Sequence, residues 1–130
     1  MADVEINIKD NSADVSNTLN KRIPVILEAC GGEAEKHGKK GARVDTGRYR
    51  ASITHTVSGT GDKLHTYRDD RGKTFTERII GVPEEERAVY IGTNVDYALY
   101  LEHLDHNIKN AVADHIREYK KIIESGLKVE

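Results

Sequence analysis

The 130-residue chain has no tryptophan, one phenylalanine, two prolines and one cysteine. With no tryptophan and a single phenylalanine the core is lean, and such a core commonly draws part of its stability from an oligomeric interface. Self-association is therefore expected. The lone cysteine, Cys30, excludes an intrachain disulfide and fits a reducing compartment, and its expected role is a buried structural thiol rather than a nucleophile. Charge of one sign is lacking as well. Lys plus Arg at 20 against Asp plus Glu at 22 leaves a net charge of −2, so no global field steers the chain toward nucleic acid or an anionic membrane. The longest apolar run is about Ile23 to Leu27, and the first ten residues are polar and acidic. Neither a membrane span nor a secretion signal is expected from such a pattern, and synthesis in the cytosol is. The length suits one domain over residues 1–130.

What is present reads as short strand, broken helix, sheet and helix. Val4, Ile6 and Ile8 alternate with polar residues, the period of a half-buried strand. From Asn11 the apolar positions Val15, Leu19, Ile23, Ile26 and Cys30 recur at helical steps, with Ser12 as N-cap. Pro24 is expected to kink or divide this helix, and Gly31-Gly32 to weaken it before an end near His37. Lys36 to Arg43 then reads as a glycine-interrupted basic loop. The alternation of Ile53, His55 and Val57 predicts a strand, and Leu64 to Arg68 and Thr74 to Val82 flank Asp69-Asp70-Arg71-Gly72-Lys73 as a hairpin with its tip. Ala88 to Thr93 supplies a further strand. Tyr97 to Leu101 is expected to form a turn or two of helix, and Leu104, Ile108, Val112, Ile116, Tyr119 and Ile123 mark a last helix, stopped at Gly126. The fold class is α+β, an antiparallel β-sheet meander packed against an N-terminal broken helix and a C-terminal helix.

Three sets of residues could carry chemistry. Asp45-Thr46-Gly47 is the tripeptide of aspartic proteases, which need two carboxylates sharing a proton and hence a homodimer of this chain. Arg48 follows directly, and a fixed cation there hinders proton sharing. The plainer reading makes Asp45 and Thr46 a cap or side-chain turn, with Gly47 permitting the bend. Among the histidines His37, His55, His65, His103, His106 and His115, the closest in sequence are His103 and His106 beside Glu102 and Asp105. No second clustered pair accompanies them, so no metal is expected. Lys36, Lys39, Lys40 and Arg43 offer at most a weak DNA contact, because no aromatics interleave them for base stacking. No cofactor loop or catalytic residue is expected. A dimeric protease using Asp45 and a small DNA-associated protein stand as alternatives to a structural role.

Two blocks bear directly on that role. Val44-Asp45-Thr46-Gly47-Arg48 with Arg50 and Ser52-Ile53, and Gly92-Thr93-Asn94 with Tyr97-Ala98 and Tyr100-Leu101-Glu102, resemble the paired signature of the siphophage tail-component family. These are tail-completion or neck proteins of the head–tail connector, like gene product ten of a lambdoid coliphage. In one respect the chain departs from them: Glu102-His103-Leu104-Asp105 runs almost directly into the last helix, where the family often has a glycine loop and an Arg-Pro-rich segment. The resemblance implies a non-catalytic virion protein, assembled in the host cytoplasm into a ring, a hexamer in the finished tail. Its partners would be other copies of itself, the tail tube, the tail terminator and head-completion proteins. It also implies that Asp45, Thr46, Gly47, Arg48, Ser52, Gly92, Thr93, Asn94, Tyr97, Ala98 and Glu102 are structural. The hairpin is the expected subunit contact, through Leu64, Thr74, Phe75, Thr76 and Ile79, which offer a pairing edge and apolar surface.

Overall fold

A computed structural model describes the backbone of residues 2–128 and the side chains of residues 16–128. The first element is a single helix, α1, over Ala2–Gly41. The strand expected at Val4 to Ile8 is helical, and the helix starts well before Ser12. Val4 and Ile8 are also four residues apart, so these apolar positions fit either period, and extending a helix already nucleated is easier than starting a separate strand. The side chains of Val4, Ile6, Ile8 and Val15 lie outside the described ones. Pro24 does not divide α1. It removes one backbone donor, at an exposed stretch where Asn20 and Pro24 both face solvent, so the freed carbonyl has water for a partner.

Helix α1 also passes the expected end at His37, and the basic segment Lys36 to Gly41 forms its last turns rather than a loop. Cations there suit the negative end of the helix dipole. Of Gly31 and Gly32, expected to weaken α1, Gly31 is where the sheet touches it and Gly32 faces solvent, while Gly38, from the expected loop, makes a second such contact. A Cβ on Gly31 would collide with the His55 ring and Val89, and one on Gly38 would lie 3.2 Å from Ile53. Beside them Ile26, Cys30 and Ala34 complete the buried face. Burial pushes the Cys30 thiol up, as suits a packing residue.

After α1 comes a short helix, α2 (Arg48–Ser52), followed by β1 (Thr54–Val57), β2 (Lys63–Arg68), β3 (Thr74–Ile79) and β4 (Val89–Gly92). All strand pairs are antiparallel, but the order is not that of a meander. β1 pairs with β4, from Thr54 opposite Gly92 to Val57 opposite Val89, and β2 pairs with β3 as a separate hairpin. The hairpin tip is as expected: Asp69 Oδ1 accepts the backbone N–H groups of Arg71 and Lys73, both at 2.9 Å, and Gly72 adopts φ 84°.

The C-terminal helix is three pieces, α3 (Ala98–Asp105), α4 (Asn107–Ala113) and α5 (Ile116–Leu127). His106, at φ 52° in the left-handed region, makes the first break. Because each break resets the helical phase, the stripe read from Leu104 to Ile123 is split: Ile108 and Tyr119 are half-buried, whereas Leu104, Val112, Ile116 and Ile123 are exposed. Val112 and Ile116 are 43% and 50% exposed. Asn107 and Ala111 are the buried residues of α4, and α5 buries none. No described helix is long and apolar enough to cross a membrane.

Candidate functional site

The two sequence blocks meet. Tyr49 and Ile53 from the first and Val95 and Ala98 from the second form the hydrophobic core cluster, with Ala42, Ile91, Leu101 and Ile108 packed around it. Ile53 is fully buried. Beside the cluster a chain of hydrogen bonds runs from the second block to the first. The Val95 N–H donates to Thr93 Oγ1 at 3.2 Å, the hydroxyls of Thr93 and Ser52 meet at 2.5 Å, and Ser52 Oγ donates to the Tyr49 carbonyl at 2.6 Å. Ser52 is almost fully buried, and each of its hydrogen-bonding sides finds a partner, as buried hydroxyls require.

The Asp-Thr-Gly loop is a clamp for the hairpin. Asp70, at the hairpin tip, donates its backbone N–H to the Thr46 carbonyl at 2.6 Å and takes the Arg50 guanidinium at 3.0 Å. Gly47 lies between them at φ 82°, where a Cβ would run into the Asp70 carboxylate. Both the conformation and the contact require glycine. Thr46, rather than Asp45, supplies the side-chain oxygen, accepting from the Arg48 N–H at 3.3 Å. Asp45 itself is exposed.

Arg48 holds the hairpin's inner face. Its guanidinium lies 4.1 Å from the Phe75 ring centroid and 3.8 Å from a Glu77 carboxylate oxygen. That same Glu77 oxygen accepts from the Tyr67 hydroxyl at 2.6 Å, and the Tyr67 and Phe75 rings stack at 5.5 Å. Burial pushes the Tyr67 phenol up, and its hydrogen bond to Glu77 adds to the shift. Strand alternation then divides the residues expected at a subunit interface. Phe75 and Ile79 are half-buried, whereas Leu64, Thr74 and Thr76 are exposed.

In the second block, Asn94 Nδ2 donates to the Arg78 carbonyl at 2.9 Å, tying the end of β4 to β3. Glu102 caps the next helix, its two oxygens accepting the N–H groups of Ile108 and Lys109 at 2.7 and 2.9 Å. Thus the direct run from Glu102 into α4 has a local cause. Tyr97 is partly exposed and its phenol is pushed up, first by burial. Nothing in the structure explains Gly92. A groove of about 830 Å³ opens between the blocks and the hairpin, lined among others by Arg43, Asp45, Arg48, Lys73, Phe75 and Tyr97.

Most of the cations set aside for DNA have carboxylate partners. Lys36 is 3.9 Å from Glu33, Lys39 is 3.5 Å from Glu35, and Arg43 binds both oxygens of Asp105 at 2.6 and 2.8 Å. Lys40 is exposed. The His103 and His106 cluster does not converge, since Glu102 is a helix cap and Asp105 belongs to Arg43. His37 and His115 are brought together instead. No spacing in the sequence signals that pair.

A family model described as "Bacteriophage HK97-gp10, putative tail-component" matches residues 7–103. No curated protein and no solved structure matches the chain. The match takes in both blocks, the hairpin between them and α1 from Asn7 onward, and on that basis the chain belongs to the HK97 gp10-like family of phage tail components.

Proposed function

We propose that this chain is a non-catalytic subunit that completes the phage tail at the head–tail junction. It closes into a ring through its β2–β3 hairpin and contacts the tail tube, the tail terminator and head-completion proteins. Assembly takes place in the host cytoplasm. The observation that carries this reading is the hairpin itself: its inner face is fastened to the motif by Arg48 and Asp70, while its outer face projects Leu64, Thr74 and Thr76. Leu64 is 72% exposed and Ile80, just past β3, is 77% exposed. Apolar side chains held outward on a rigid two-stranded ribbon, with unpaired strand edges, suit a neighbouring subunit. A ring needs such a patch to meet a different patch on the next copy.

The test is light scattering of the protein alone and with tail tubes and neck proteins, repeated with Leu64→Asp and Ile80→Asp. Phe75→Asp is the poorer probe, because it also removes the ring beneath Arg48. The expected result is a closed oligomer, alone or on a partner, lost in the outer-face variants while their folding persists. A chain that stays monomeric with every partner overturns the ring, and outer-face variants that assemble normally overturn this interface. Peptide cleavage at acid pH, lost in Asp45→Ala, would make the protein a protease. Tight duplex binding with a steep salt slope, lost on neutralising Lys36, Lys39, Lys40 and Arg43, would make it a DNA-binding protein.

A further inference from the structure

Where α5 meets α1, three metal-ligating side chains from two distant parts of the chain converge. The rings of His37, from α1, and His115, the residue before α5, stack with centroids 3.5 Å apart and planes 3° from parallel. His37 Nε2 lies 2.9 Å and His115 Nδ1 3.5 Å from the same oxygen, Oε2 of Glu118 in the first turn of α5. The donor atoms of all three residues fall within 4.8 Å of one another. Glu33 adds a second carboxylate, 3.9 Å from His37 Nε2.

This donor set has a definite chemistry. Two imidazoles and a carboxylate suit zinc, cobalt or nickel, whereas calcium and magnesium take oxygen ligands. Donors about 2.1 Å from a tetrahedral ion stand about 3.4 Å from one another. The two distances to Glu118 bracket that value; the parallel rings do not point their in-plane lone pairs at one position, so binding requires the His115 ring to turn, which its 35% exposed side chain has room to do. Helix α5 has use for such a clamp: it buries no residue of its own and lies beyond residues 7–103, the span matched to the family.

We propose that His37, His115 and Glu118 bind one divalent ion of the zinc class, with Glu33 in reach as a fourth ligand, and that this ion staples α5 to α1. The experiment is titration of chelator-stripped, full-length protein with zinc by calorimetry, and with cobalt by its visible absorption, alongside thermal melts. The expected result is one ion per chain, bound tighter than about 10 µM, a tetrahedral cobalt spectrum and a higher melting temperature. Affinity should fall at least about tenfold in His115→Gln and in Glu118→Gln and stay unchanged in His103→Ala, since only the first two remove a ligand. His115 and Glu118 are partly exposed, so both variants should fold, and circular dichroism checks that. Binding weaker than about 100 µM, more than one ion per chain, or an affinity that His115→Gln leaves intact would overturn the proposal.

Discussion

The joint between the two motif blocks and the C-terminal pair of helices are held in different ways. In the joint, a fully buried Ile53 sits among Tyr49, Val95 and Ala98, and the hydroxyls of Ser52 and Thr93 link the two blocks by hydrogen bonds. Helix α5 instead rests on α1 largely through partly exposed polar contacts, the His37–Glu118 pair and the Arg22 guanidinium on the Lys128 carbonyl, with one apolar contact where Gly126 fits against Ile26. Tyr119 adds a hydrogen bond to the Ala111 carbonyl at 2.5 Å. Dry, interlocked packing makes a region intolerant of change, and solvated polar contacts let an element detach at little cost. The family match covers the joint and stops short of α4 and α5, so the region shared with the family is also the more tightly determined one.

Substitutions can break or sharpen that contrast. The largest effect is expected from Ile53→Ala, which empties the centre of the joint and should cost about 2–5 kcal/mol, read as a shift of the urea midpoint. Arg48→Ala takes the guanidinium from Phe75 and Glu77 and leaves Phe75 only the Lys73 ammonium, 5.1 Å from its ring centroid. It should cost about 1–3 kcal/mol and raise amide exchange in β2 and β3 above that in β1, because it frees the hairpin alone. Glu102→Ala uncaps α4 and should cost about 1 kcal/mol. If its melting temperature matches that of the unsubstituted protein, the cap is dispensable and the direct run into α4 needs another cause.

Ile116→Ala should change stability by no more than about 0.5 kcal/mol, since half the side chain is already in water. A loss of several kcal/mol would mean that α5 packs as the apolar stripe in its sequence suggests. The smallest effect concerns acid. Asp105 is held below the usual carboxylate range, first by its hydrogen bond to Arg43. Its contribution to stability is therefore complete above the unfolded value of about 3.9 and disappears as pH falls through the lower folded value. Melts of the protein and of Asp105→Asn should differ at pH 7 and converge in stronger acid. A gap that widens in acid would reverse the assignment.

Whatever depends on neighbours along the chain was legible before any coordinates. The hairpin tip follows from Asp69 and Gly72, whose turn chemistry needs only the next few residues. The helical stripe from Leu19 to Cys30 follows from periodicity, and the two motif blocks from their residues. Tertiary structure decided the rest, because the deciding partners are remote. Gly31 read as a weak point in a helix and Gly38 as part of a loop until β1 and β4 lie against them, and that shared seat on α1 pairs β1 with β4 rather than β2. The C-terminal stripe read as one helix until Glu102 capped α4 and His106 took a left-handed turn. His37 and His115 are neighbours only because α5 folds back along α1. A sequence records which side chains can pack, bond or ligate; the long-range contact that satisfies each of them depends on how the whole chain closes.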